Sequence, residues 1–279
     1  RRPRRPARRI HSPPRAAAQE VAAAAAASAA SRAWGVTASG LEAPLFQAGL
    51  VPYLAYLWFL SRPSARVPRV ALAGAVSLLA FVAATIPAGI AAKSRYGDIL
   101  ANVDALHGSS EALLTVSNAL LALGLTRAAR GAGTEDDLAS AGASVALLLA
   151  LGGAGAAALQ PLGAAVVASG ALHAEPANAL SAPTWAVHVS SVTEYAFAAA
   201  AAWSLGGAPG RSARWRGLSL AMAPFFASGM CACTFHVFYN APELRALVPL
   251  QAGLTLLGNC TCAVAAWRLA SDEGEAGGG

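Results

Sequence analysis

The sequence predicts an all-α fold, a polytopic membrane helix bundle of about seven transmembrane helices, and three observations carry that expectation. Hydrophobic residues fill 56% of the 279 positions and charged residues only 12%, against about 25% charged in soluble domains, and the mean hydropathy is +0.50. The apolar residues are gathered into stretches close to the ~20 residues a helix needs to cross a ~30 Å hydrocarbon core. Between them, arginine-rich and arginine-poor loops alternate, as the positive-inside rule asks of a chain that crosses a membrane repeatedly. This make-up excludes a soluble enzyme, a nucleic-acid binder and a disordered scaffold.

The elements follow in order. Residues 1–40 form a low-complexity Ala/Arg-rich head: eight of the twenty basic residues lie within 1–32 against one acid, Glu20, and the remainder is nearly neutral. Arg, Pro, Ser and Ala with almost no acid is the composition of an organelle transit peptide. The head opens on Arg rather than Met, and it is expected to continue a longer precursor. No aromatic residue interleaves with its arginines up to Arg32, so no nucleic-acid partner is expected. A first three-helix unit (41–130) carries spans at 44–60, 70–91 and 109–126. A connector (131–175) carries one helix at 142–160, followed by an apolar interfacial or re-entrant stretch at 162–172. A second three-helix unit (176–270) carries spans at 183–204, 217–239 and 246–268, and 271–279 is a disordered tail.

Arg62, Arg66 and Arg69, then Arg127 and Arg130, then Arg211, Arg214 and Arg216, and finally Arg268 fall on alternate loops. Counted by the positive-inside rule, this places the C-terminus on the inner side. Glu111-Ala-Leu-Leu-Thr115 is echoed by Gln251-Ala-Gly-Leu-Thr255, which suggests a weak three-helix repeat with the fourth helix as connector, the pattern of some transporters.

Polar residues in the spans keep helical spacing: Glu111, Thr115 and Asn118; Thr184, His188, Ser191 and Tyr195; Cys233, His236 and Asn240; Gln251, Thr255, Asn259 and Cys262. Residues three and four apart share a helix face, so these stripes are expected to face one another rather than lipid. At ~1.5 Å per residue, Glu111, His188, His236 and Gln251 lie near the outer edge, and Asn118, Glu194 and Asn259 lie deeper, close to mid-membrane. An ionisable group inside the membrane costs at least ~2.5–3.5 kcal/mol on insertion scales and needs a partner or a role; Ser190 and Ser191 are the expected donors to the Glu194 carboxylate. The candidates for ligation or proton handling are therefore His188, Glu194, His236 and Glu111. The stripe residues Ser191, Asn240, Gln251, Thr255, Asn259 and Asn118 are expected to join helices.

His236 is the best single ligand candidate, for a metal or for the centre of a tetrapyrrole such as chlorophyll. No complete metal-ligand set is read from the spacing. The cysteines form two C-x-C pairs, Cys231/Cys233 and Cys260/Cys262, not the C-x-x-C of zinc modules; residues two apart on a helix point away from each other, so all four are expected to be small buried hydrophobes. No phosphate loop, zinc-protease helix, nucleophile elbow or dinucleotide fingerprint is present, so no catalytic residue is assigned and the protein is not expected to be an enzyme.

The stretches ALSAPTWAVHVSSVTEYAFA and MCACTFHVFYNAP, followed by LQAGLTLLGNCT, lie within 179–269. They resemble the family named after hypothetical chloroplast open reading frame forty-nine, small membrane proteins of cyanobacteria and plastids. Trp185, His188, Glu194, Cys231, Cys233, His236, Asn240, Gln251 and Asn259 occupy its motif positions, while Tyr195 and Phe197 stand where Trp-rich sequence is expected. Over 46–124, LVPYLAYLWFL and the run from Ala84 to Gly124 resemble a second uncharacterised family of the same organisms. The resemblance implies a fusion of the two in a plastid membrane, the thylakoid, with a stromal C-terminus. It transfers no reaction. The expected function is an interaction protein that helps photosynthetic membrane complexes assemble or holds a pigment for them; the alternative is a small proton-coupled membrane transporter using Glu194 and His188.

Overall fold

The computed structural model describes residues 40–131 and 178–271, with Ala26, and among these every regular element is helical. The first unit contributes α1 (Glu42–Leu60), α2 (Arg69–Ala91) and α3 (Asp104–Ala129). The second contributes α4 (Ala182–Leu205), α5 (Arg214–Ala221), α6 (Ala223–Val237) and α7 (Leu247–Ala270). All of the expected spans except the fourth thus appear as helices. The fourth (142–160), the stretch 162–172, the tail, and the expected transit segment apart from Ala26 and Gly40 lie outside the described residues.

Five stretches are long and apolar enough to cross a membrane: α1, Arg69–Tyr96, α3, Arg214–Val237 and Pro242–Ala270. The structure therefore supports a polytopic helical protein without reaching the expected count of seven. α4 has the length, at 24 residues, but Thr184, His188, Ser190, Ser191, Thr193 and Glu194 interrupt its first half. Two expected boundaries are corrected. The span at 217–239 is broken at Met222 into α5 and α6, because Pro224 has no N–H to donate and its ring crowds the carbonyl four residues back. The span at 109–126 starts a full turn earlier, at Asp104. Ser109 and Ser110, at the start of the expected span, bond their hydroxyls back to Leu106 O at 3.2 and 2.8 Å, as hydroxyls inside helices do.

Small residues set how the helices meet. α2 and α3 run antiparallel at close range, since a Cβ added at Gly74 or Gly124 would collide with the backbone of the other helix at Leu121 or Ala71. Such small-residue contacts hold helices together where lipid removes any hydrophobic drive between them. α6 and α7 are likewise antiparallel, with Phe225 packed on Gly258 and Ser228 Oγ 2.8 Å from Thr255 Oγ1. Two other neighbours run parallel. α3 lies beside α4, where Thr115 Oγ1 is 2.8 Å from Ser191 Oγ. α1 lies beside α7, where Asn259 Nδ2 donates to Gly49 O at 3.0 Å and Ser64 Oγ to Ala270 O at 2.7 Å. The helices of the two units thus pack on each other, while α1 and α2 touch little. Of the echoed positions, Asn118 and Asn259 both bond across to the other unit, whereas Thr115 bonds across and Thr255 within its own.

The bundle has two unlike ends. At one, Tyr53, Tyr56, Leu60, Leu205, Trp215, Leu218 and Leu269 build a single apolar core with small Ala partners. Arginines close this end: Arg211 Nη1 donates to Arg66 O at 2.7 Å and Arg214 Nη1 to Arg268 O at 2.8 Å. Half-exposed Trp58, Trp203 and Trp267 ring it, with Arg62 stacked 3.5 Å above Trp58; this is the aromatic and basic girdle of a membrane interface. The loops that alternate in sequence are thus gathered at one end, where α3 finishes. α4 begins at the other. Between the ends, Val51, Ile90, Phe197 and Leu220 are all more than 60% exposed, a pattern suited to lipid and not to water.

Replacing Gly124 by Leu is expected to force α2 and α3 apart and cost about 1–3 kcal/mol, the usual range for overpacking. Gly253→Ala, where nothing lies within 4 Å of the new carbon, should leave stability unchanged or slightly raised. Thermal unfolding of the two variants in mild detergent checks both.

Candidate metal centre

The end opposite the arginines is polar, and its geometry is set by three helix termini. α3 begins there with Asp104, whose carboxylate Oδ1 accepts the Ser181 N–H at 3.0 Å and so fixes the start of α4 beside it. An acid in a helix first turn is favoured by the backbone dipole. Gly108 lets the two helices close, for a Cβ there would run into the Thr184 side chain. α6 ends at this level through an uncommon turn, with Tyr239 and Asn240 in succession at φ 54° and 57°. Asn tolerates the left-handed region better than most residues, and the Asn240 N–H reaches back to Phe235 O at 2.9 Å to close the helix. The Asn240 Nδ2 group then donates to Asn102 Oδ1 at 2.7 Å and to Ala101 O at 3.1 Å.

These three termini bring three histidines to one point. His107 of α3, His188 of α4 and His236 of α6 are 7%, 6% and 3% exposed. The Nε2 atom of His107 lies 3.2 Å from that of His188 and 3.2 Å from that of His236. His188 donates its Nδ1–H to Thr184 O at 2.9 Å, which leaves the Nε2 of the neutral ring as a lone pair pointing inward. Neutral rings then cannot make a linear hydrogen bond at each contact. If His107 Nε2 carries the proton, it serves only one of its two neighbours. If His236 donates to His107, the lone pairs of His107 and His188 oppose each other.

A cation resolves this conflict. With M–N bonds of ~2.0–2.1 Å, tetrahedral coordination puts two ligand nitrogens ~3.3–3.4 Å apart, close to the 3.2 Å seen. All three candidate ligand atoms lie within 4.8 Å of one another. Imidazole suits zinc, copper, iron and nickel rather than calcium or magnesium, and three protein ligands leave a further coordination position open. The Asp104 carboxylate supplies a negative field felt by all three rings. The Nδ1 atoms of His107 and His236 and the Oδ1 of Asn240 are buried without a partner. Asn240 lies within reach of the His236 ring, so its Oδ1 is placed as the outer acceptor that orients a ligating imidazole.

His188 and His236 are therefore brought together as expected, and Asn240 supports them. Glu111, one turn along α3 from His107, stands beside Cys233 of α6 and is not among the three ligands. Asn118 Nδ2 donates to Ser191 O at 3.2 Å, Thr255 bonds Ser228, and the carbonyl of Gln251 accepts from the Ser228 hydroxyl at 3.1 Å. Together with Asn259 on Gly49, Asn118, Ser191 and Thr255 join helices through their side chains, whereas Gln251 contributes its main-chain carbonyl. Glu194 is corrected on one point: Ser190 Oγ bonds Val187 O and Ser191 Oγ pairs with Thr115, so neither serine serves the carboxylate, whose Oε2 is buried without a partner. The four cysteines are free, with Cys262 buried and Cys260 exposed.

Sequence reasoning missed His107, Asp104 and Asn102, because 92–108 read as loop. A signal was present. His107 extends the Glu111, Thr115, Asn118 stripe by one more step of four, which places it on the same face.

Two family models match the chain. One described as "Protein of unknown function (DUF2499)" covers residues 179–268, and one described as "Protein of unknown function (DUF3593)" covers 42–130. The two matches coincide with α4–α7 and α1–α3, as both resemblances implied. A Ycf49-like protein of Synechocystis sp. (strain PCC 6803) is 49% identical over 90 residues, which make up 32% of this chain and 86% of the relative. No solved structure matches the chain.

Proposed function

The chain belongs to the family of Ycf49-like proteins, and from that premise we propose that it is a plastid membrane protein, of the thylakoid, whose working part is a three-histidine metal centre at one end of its helix bundle. The convergence of His107, His188 and His236 at 3.2 Å contacts carries this reading. The composition of residues 1–32 supports an organelle, the cyanobacterial relative supports the plastid among organelles, and the gathering of arginines at one end supports a stromal C-terminus, which puts the histidines on the lumenal side. In that membrane the protein serves the assembly of photosynthetic complexes, and the bound ion is what it contributes or senses.

A pigment fits this geometry less well. A tetrapyrrole presents its centre to one imidazole from an open face, whereas the His236 ring has two other imidazoles 4.8 and 5.0 Å away between centroids. A second reading, the proton-coupled carrier, is favoured by one observation, the buried unpartnered Oε2 of Glu194.

Full-length protein stripped with chelator and purified in mild detergent is expected to take up one Co2+ per chain, with the visible bands of a nitrogen-rich site. Replacing any one of the three histidines by Ala should weaken uptake by more than the ~10–100-fold that losing an outer-shell partner costs. Uptake should also weaken as pH falls, because protons compete for the imidazoles. Protein that takes up no Co2+ or Zn2+ removes the reading, and chlorophyll or haem bands after gentle purification would install the pigment in its place.

For the assembly role, a photosystem or cytochrome complex should co-purify with the protein and decline when its gene is disrupted; complexes at normal levels would count heavily against it. For the carrier, Glu194→Gln should abolish solute or proton flux in proteoliposomes while folding survives.

A further inference from the structure

The three ligands come from both units: His107 from the unit at 42–130, His188 and His236 from the unit at 179–268. We propose that the centre is a split site, completed only when the two units come together, and that metal bound there is a clasp between them. The partner that the Ycf49-like unit needs is thus a unit of the 42–130 kind. The proposal rests on the metal-centre reading above and adds to it the identity of the partner.

Three observations carry it. First, the Synechocystis relative is matched by 90 residues that are 86% of its length, so roughly 15 of its residues remain, fewer than the ~20 of one further span. A protein of that size has no room for a second three-helix unit. A match to one unit of this chain leaves it without a helix equivalent to α3, which carries the third of the three ligands an open metal site needs.

Second, the side-chain bonds at the polar end join one unit to the other. Asp104 receives Ser181, Thr115 pairs with Ser191, Asn118 reaches Ser191 O, and Asn240 reaches Asn102. This is the hydrogen-bonded, small-residue surface by which separate membrane helices recognise each other.

Third, the helices in contact across the units, α3 with α4 and α1 with α7, run parallel. Parallel neighbours cannot be a hairpin, so chain continuity does not impose their contact. Side chains do.

An ion that binds only the assembled pair must tighten the pairing by a factor of one plus its concentration over its dissociation constant. At a hundred times that constant the gain is about 100-fold.

The test uses the full chain with a site-specific protease sequence inserted within 132–177, outside both matched segments, and an affinity tag at the C-terminus. After cleavage in mild detergent, retention of the N-terminal fragment on the tagged half is followed as SDS is titrated in, with Co2+ or with chelator. Expected is a midpoint at clearly higher SDS with Co2+ than with chelator. In His107→Gln that shift should vanish, and its chelator midpoint should match the unsubstituted protein, which shows the fold intact. If His107→Gln unfolds, His188→Gln serves as the second variant and should lose the shift in the same way.

Halves that separate at the same SDS in Co2+ and in chelator, while the uncut chain binds Co2+ one to one, overturn the clasp and leave the metal centre standing. Halves that part on cleavage even in Co2+, or a shift that survives in a histidine variant whose chelator midpoint is unchanged, overturn it too. An uncut chain that binds no Co2+ takes down the metal centre and the clasp together.

Discussion

Three imidazoles whose Nε2 atoms meet at 3.2 Å cannot satisfy one another by hydrogen bonding, and they are too deeply buried for bulk water to make up the difference. A buried polar atom left without a partner costs about 1–3 kcal/mol, so such an arrangement persists only if something else holds it. Most of the polar end serves that purpose. Gly108 removes a side chain so that α3 and α4 can close, the Thr184 carbonyl fixes one ring, and two successive left-handed residues stop α6 just after His236. Left-handed geometry costs a non-glycine residue of order 1 kcal/mol or more. Strain of that kind, placed next to a ligand, suits a site that is built to receive an ion.

The two ends of the bundle divide the labour. The arginine-rich end carries the apolar core, with large side chains such as Trp215 and Leu205 buried among alanines, and it gives the helices a packed footing. The histidine end has few large apolar side chains in its interior and relies on hydrogen bonds between units. The small-residue seams run along the helices and link the two ends.

Much of this was legible in the chain. Apolar length located four of the six expected spans among the described residues to within two positions at either end, because span length is dictated by bilayer thickness. The arginine alternation anticipated which loops meet at one end, since that signal is a property of loops and survives errors in helix limits. The stripes predicted which faces turn inward, and Asn118, Ser191 and Asn259 are where those faces touch. Three things were not legible. The break at Met222 follows from a single proline inside an otherwise convincing span. His107 stood in a polar stretch, and hydropathy cannot distinguish a polar helix start from a loop. The division of the ligands between units is a tertiary fact, since His107 and His236 are separated by 129 positions and no spacing rule spans that distance.

The direction of the helices has a consequence for how two genes become one. α3 ends at the arginine-rich end and α4 starts at the histidine end, yet the two lie side by side. Joining separate ancestors by a short flexible tether, the simplest product of recombination, would deliver α4 to the wrong face of the membrane, and its histidines would emerge on the side away from His107. A fusion needs a connector long enough to return from the end of α3 to the start of α4, the length of the bundle away. The same condition would govern any attempt to engineer a single-chain version from two separate proteins.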